Sequence, residues 1–92
     1  MKVIKFSATW CGPCKVFANT FSNIKNKYAD KGIEFLSYDV DEDDEGIELS
    51  QTFGIRGVPS VVILDDEGKE ISRIVGNVPQ KTFEEKMEEL LK

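Results

Sequence analysis

Cys11 and Cys14, separated by two residues, are the side chains of this sequence best suited to covalent chemistry. They are its only cysteines, and it contains no histidine. A dithiol at this spacing can alternate between two thiols and one disulfide, carrying two electrons. A purely structural disulfide is a poor alternative, because closing so short a loop removes little chain entropy. The lack of histidine excludes Ser-His-Asp and Cys-His catalysis within the chain. A structural zinc site takes about four Cys or His ligands, so zinc or an iron–sulfur cluster would require a second copy. The residues therefore point to redox chemistry with no bound metal or organic cofactor.

The flanking patterns say how this pair is held. Residues 2–7 read as a β-strand and residues 15–28 as a helix, so the cysteines fall at the junction. A thiol there faces the free N–H groups and the positive end of the helix, which favours the thiolate. Cys11, at the helix start, is expected to be the more exposed thiol and the nucleophile. Cys14, one turn further in, is expected to resolve the intermediate. Pro13 sits in the first turn, where its missing N–H costs nothing. Phe17, Phe21, Ile24 and Tyr28 recur at helical spacing, and Gly32 follows as the terminator.

Further along, residues 33–40 read as a second strand. A short helix around residues 45–53 would bury Ile47, Leu49 and Phe53. Residues 60–64, Ser-Val-Val-Ile-Leu, form a continuous β-type run typical of a strand covered on both faces. A turn at 65–68 leads into a hairpin strand over 69–75. The last helix presents Phe83, Met87 and Leu90, with Leu91 beside them. Thr82 and Glu85 have capping-box spacing, although Pro79 permits an earlier start. The order is β-α-β-α-β-β-α, an α/β class, with the first two strands parallel and the last two antiparallel. Helices on both faces of a small mixed sheet are the simplest arrangement.

The whole-chain properties agree. The 92 residues are enough for one domain, 1–92, and 40% apolar with 32% charged residues suits a globular fold. A formal net charge of −5 argues against nonspecific nucleic-acid binding. No apolar run approaches the ~20 residues of a membrane span. The first residues lack a signal-like apolar stretch, so a cytoplasmic setting is expected; the chain is also expected to be a monomer.

The segment Trp10-Cys11-Gly12-Pro13-Cys14-Lys15 resembles the active-site signature of thioredoxins. Gly57-Val58-Pro59-Ser60 is similar to that family's cis-proline loop, Gly54-Ile55-Arg56 fits the approach to it, and Gly76 matches a glycine after the last strand. The Gly-Pro pair resembles thioredoxins more than glutaredoxins, with Pro-Tyr, or disulfide isomerases, with Gly-His. The resemblance spans essentially the whole chain. It implies a thioredoxin fold with a four-stranded mixed sheet, and reduction of protein disulfides through a mixed disulfide. A thioredoxin reductase would regenerate the dithiol. A cis bond before Pro59 is implied, with Trp10, Gly12, Pro13, Ile55, Val58, Pro59 and Gly76 bordering the substrate surface. For Ile55 and Val58, plain core packing is an equal alternative. Two rival functions stay open: a glutaredoxin-like, glutathione-coupled oxidoreductase, and a non-catalytic binding subunit.

Two departures stand out. The chain resembles a minimal thioredoxin lacking the usual N-terminal strand and helix. Lys5 also stands where the family has an aspartate, and Ser37 falls near the position of the lysine that faces it. Lys5 is expected either to snorkel to the sheet end or pair with an acid, Asp39 on the neighbouring strand being a candidate, or to modulate the cysteine pKa values. The acidic run containing Asp39, Asp41, Glu42, Asp43, Asp44, Glu45 and Glu48 begins like a calcium loop. It has Asp44 where the glycine is needed and Ser50 where the final glutamate is needed, so a solvated or steering surface is expected.

Overall fold

The central strands carry apolar residues on both faces and the helices carry them every three to four residues, and this pattern sets the layers. A computed structural model describes residues 1–92. Its elements are β1 (Lys2–Ser7), α1 (Gly12–Lys27), β2 (Glu34–Asp39), α2 (Asp44–Thr52), β3 (Ser60–Leu64), β4 (Glu70–Val75) and α3 (Gln80–Leu90). The sheet order is β2-β1-β3-β4. β1 pairs parallel with β2 and antiparallel with β3, and β3 pairs antiparallel with β4. The expected order and directions are met.

Successive side chains of a strand point to opposite faces. Val3 of β1 and Val61 and Ile63 of β3 therefore face α1 and α3, joining Phe17, Phe21, Ile24, Tyr28, Phe83 and Met87 in the main core. Phe17 stacks on Phe83 at 5.9 Å, and Phe21 meets Phe35 edge-on. Each such ring contributes about 1.5–3 kcal/mol by leaving water. Ile4, Phe6, Val62 and Leu64 face the other way, toward α2. All five residues of β3 are buried, as its β-branched run predicts.

Three local expectations change. Helix α1 begins at Gly12 rather than residue 15, with Cys11 itself as N-cap. Helix α3 begins at Gln80 after Pro79, without a side-chain cap, so Thr82 and Glu85 do not form the capping box. In α2, Ile47, Leu49 and Phe53 are only half-buried, because this single helix covers its face thinly. The fully buried residue of α2 is Gly46, where a Cβ would collide with the Asp39 carbonyl oxygen. Glycine there lets α2 approach the end of β2.

Candidate active site

Strand β1 ends at Ser7, and the next four residues deliver the chain to the start of α1. The Cys11 N–H donates to the Ala8 carbonyl at 3.1 Å, tightening this turn. Cys11 adopts extended backbone angles, as an N-cap does, and its Sγ accepts the Cys14 N–H at 3.1 Å. Sulfur here replaces the oxygen of the usual Ser, Thr or Asp cap. The arrangement stabilises negative charge on Cys11 Sγ, through a direct N–H and the helix dipole. Cys11 and Cys14 are joined as a disulfide, with Cα atoms 5.3 Å apart.

The two cysteines are equally buried, each 4% exposed, so the expected greater exposure of Cys11 is not found. Position at the helix end, rather than exposure, distinguishes them. Gly12 and Pro13 between them are exposed.

The loop before β3 closes over the first cysteine. The Val58–Pro59 peptide bond is cis, as the resemblance implied. The Val58 carbonyl oxygen lies 3.7 Å from Cys11 Sγ, within reach of a thiol S–H in the reduced protein. Pro59 is buried, and its carbonyl accepts the Gly76 N–H at 2.9 Å. Gly76 sits at φ +92°, a conformation that favours glycine. Ser60 Oγ donates to the Gly57 carbonyl at 2.7 Å, bracing the same loop. Sequence reasoning did not single out Ser60 for this; a serine directly after the proline was the available signal.

Trp10 is 70% exposed, and its Nε1–H donates to the Asp41 carboxylate. That bond gives one residue of the acidic run a definite task. Trp10, Val40, Ser50, Ile55, Arg56, Gly57 and Val58 line a cleft of about 210 Å³ on the Cys11 side. Ile55 and Val58 are half-buried, so they serve both the α2-side core and this surface.

A second cleft, of about 410 Å³, reaches Cys14 from behind and is lined by Lys5, Ser7, Thr9, Lys15 and Asp39, among others. Lys5 makes no ion pair with Asp39. Asp39 Oδ1 instead accepts the backbone N–H groups of Asp41 at 2.7 Å and Glu42 at 2.9 Å. The Lys5 ammonium lies 5.2 Å from the Phe21 ring centroid, a cation–π distance. Partial burial pushes its pKa below the ordinary lysine value. Across the sheet Lys5 is in register with Ser37, so no lysine–carboxylate pair exists at these two positions. The rest of the acidic run forms no cluster able to hold a metal ion. The largest cleft, about 600 Å³, lies between α1 and α3, is lined wholly by lysines and glutamates, and contains no residue of this site.

Comparison with known proteins gives a consistent result. The family model described as thioredoxin matches residues 1–89. The chain is similar to a thioredoxin of Malassezia sympodialis, 39% identical over 79 residues, covering 86% of this chain and 71% of that protein. Among solved structures it resembles the thioredoxin NaTrxh of Nicotiana alata, with a TM-score of 0.81 and 35% identity over 96% of this chain and 70% of that one. It also resembles a yeast structure whose title concerns thiol resolution in a mitochondrial 1-Cys peroxiredoxin via glutathione/thioredoxin systems. There the TM-score is 0.80, with 27% identity over 96% of this chain and 76% of that one.

Proposed function

The chain belongs to the thioredoxin family, and from that premise we propose how its redox-active cysteine pair works. It is a thiol–disulfide oxidoreductase that reduces protein disulfides. Cys11, as the thiolate, attacks one sulfur of a substrate disulfide. A Cys11–substrate disulfide forms, and the other substrate sulfur leaves as a thiolate that takes a proton from water. Cys14 then loses its proton and attacks Cys11 Sγ. The Cys11–Cys14 disulfide forms, the second substrate thiol is released, and two electrons have passed to the substrate. The single observation that carries these roles is the Cys14 N–H held on Cys11 Sγ at the start of α1.

Substrate binds across Trp10, Gly12, Pro13, Val58, Pro59 and Gly76, with Ile55 at the border. The Val58 backbone offers strand-like hydrogen bonding to an extended segment, which admits many sequences. The 1–92 chain acts as one domain and as a monomer in the cytoplasm. A thioredoxin reductase restores the dithiol, making the protein an electron carrier in thiol homeostasis. Reduction by an NADPH-linked flavoprotein rather than by glutathione separates this from a glutathione-coupled role.

The test is reduction of insulin disulfides under dithiothreitol. Cys11→Ser is expected to remove all acceleration over the uncatalysed rate. Undiminished reduction by that variant contradicts the proposed roles.

A further inference from the structure

The second half of the reaction needs a Cys14 thiolate, and Cys14 lacks the advantages of Cys11. It lies inside the helix rather than at its cap, and it is as buried as Cys11 without the N–H that Cys11 Sγ accepts. Burial in apolar surroundings raises a thiol pKa. No histidine exists to take the proton. The groups that could compensate are those lining the cleft behind Cys14.

We propose that Lys5 is a positioning residue for this step, its unpaired positive charge beside the rear cleft favouring the Cys14 thiolate that resolves the mixed disulfide. The proposal rests on the roles assigned to Cys11 and Cys14 above. Three observations carry it. Lys5 and Cys14 line one solvent-open cleft. Lys5 has no carboxylate partner, and Asp39 Oδ1 instead accepts two backbone N–H groups of the turn that follows β2. The Lys5 ammonium sits 5.2 Å from the Phe21 ring centroid, which keeps its charge in place.

The charged neighbours are few. Lys15 from α1 and Asp39 from the end of β2 share the rear cleft. Lys25 of α1 shares an adjoining hollow with Lys5, Phe21 and Ser37. β3 offers only Val61 beside Lys5. The two further lysines reinforce the positive field, and Asp39 partly offsets it. In the balanced step, the Cys14 proton passes to water in the cleft, and Lys5 keeps its own proton. The Cys14–Cys11 bond forms, the Cys11–substrate bond breaks, and the departing thiolate is protonated by solvent.

The sign with pH follows. Below the Cys14 pKa, an opposite charge that lowers that pKa by about one unit raises the thiolate fraction about tenfold. Lower basicity costs about threefold in intrinsic nucleophilicity, leaving a net gain of about threefold. Above the Cys14 pKa the thiolate is already formed, so the advantage is lost and the lower basicity turns it into a deficit of up to about threefold.

The experiment mixes reduced protein with one equivalent of 2,2′-dithiodipyridine, a neutral disulfide, and follows two successive releases of pyridinethione from pH 5.5 to 9. The first release reads Cys11 and the second reads Cys14. Lys5→Met, which retains an apolar stem for Phe21, is expected to leave the first release unchanged. It slows the second about threefold at pH 6, with the deficit gone by pH 9. Lys5→Arg restores the wild-type second release, since a guanidinium keeps its charge and cannot act as a base. A Lys5→Met second release that matches wild type at every pH overturns the proposal. So does a Lys5→Arg variant that behaves like Lys5→Met, or a slowing of both releases alike. If instead Cys14→Ser still gives both releases, the underlying assignment of the cysteines fails, independently of Lys5.

Discussion

On the Cys11 side lies a cleft lined by Trp10, Val40, Ile55, Arg56 and Val58, of which Val40 and Val58 pack against the cysteines. On the Cys14 side, the dithiol borders a cleft lined by Lys5, Lys15, Asp39, Ser7 and Thr9. One side offers apolar side chains and a backbone carbonyl 3.7 Å from the sulfur. The other offers charge and open access to water. The contrast assigns separate duties to two thiols that are equally buried. In the proposed mechanism the Cys11 side recognises a polypeptide, through apolar contact and backbone hydrogen bonds. In the same proposal the Cys14 side manages a proton and a charge, which apolar packing would hinder. One short helix end serves both because Cys11 caps α1 while Cys14 lies one turn inside it.

The contrast can be broken from either side. The larger effect is expected from Trp10→Ala. Removing this exposed ring should lower kcat/KM for a protein disulfide about tenfold, about 1.4 kcal/mol of transition-state binding. Reduction of 2,2′-dithiodipyridine should stay within about twofold of wild type, since so small a disulfide has little use for the surface. Equal losses on both substrates would mean that Trp10 serves the chemistry itself, and the division between the sides would fall.

The smaller effect comes from the rear. Lys5→Met should raise stability to chemical denaturation at pH 7, by less than about 1 kcal/mol after allowing for solvent screening. Partial burial lowers the Lys5 pKa, so the folded state disfavours the ammonium relative to the unfolded chain. That cost is present while Lys5 is charged and fades as pH rises from the folded-state pKa toward the ordinary lysine value. The stability gap between Lys5→Met and wild type should therefore narrow on raising the pH. A Lys5→Met variant less stable than wild type would make Lys5 a structural residue rather than a functional one that costs stability.

Most of the frame could be read from the chain. The strand–helix junction at Cys11, the buried run of β3 and the Phe17-Phe21-Ile24-Tyr28 stripe each carry their own period, and each lies where expected. The departures have separate causes, some local and some set by a distant partner. Cys11 as N-cap was hidden because the usual caps carry oxygen. Thr82 and Glu85 have capping spacing, but Pro79 set the start of α3 before they could act. Asp39 looked available to Lys5 until the turn drew its carboxylate onto Asp41 and Glu42 N–H groups. The Lys5–Phe21 contact joins a strand to a helix and has no period to betray it. Gly46 gave no pattern at all, because its role is to leave room for the Asp39 carbonyl.

The most direct test of the division between the cysteines is the intact mass of Cys14→Ser after incubation with an oxidised protein substrate. One covalent adduct is expected, mapped by peptide analysis to Cys11 and released by dithiothreitol. Cys11→Ser, treated identically, should carry none. An adduct that forms on Cys14 of Cys11→Ser but never on Cys11 of Cys14→Ser would contradict the account.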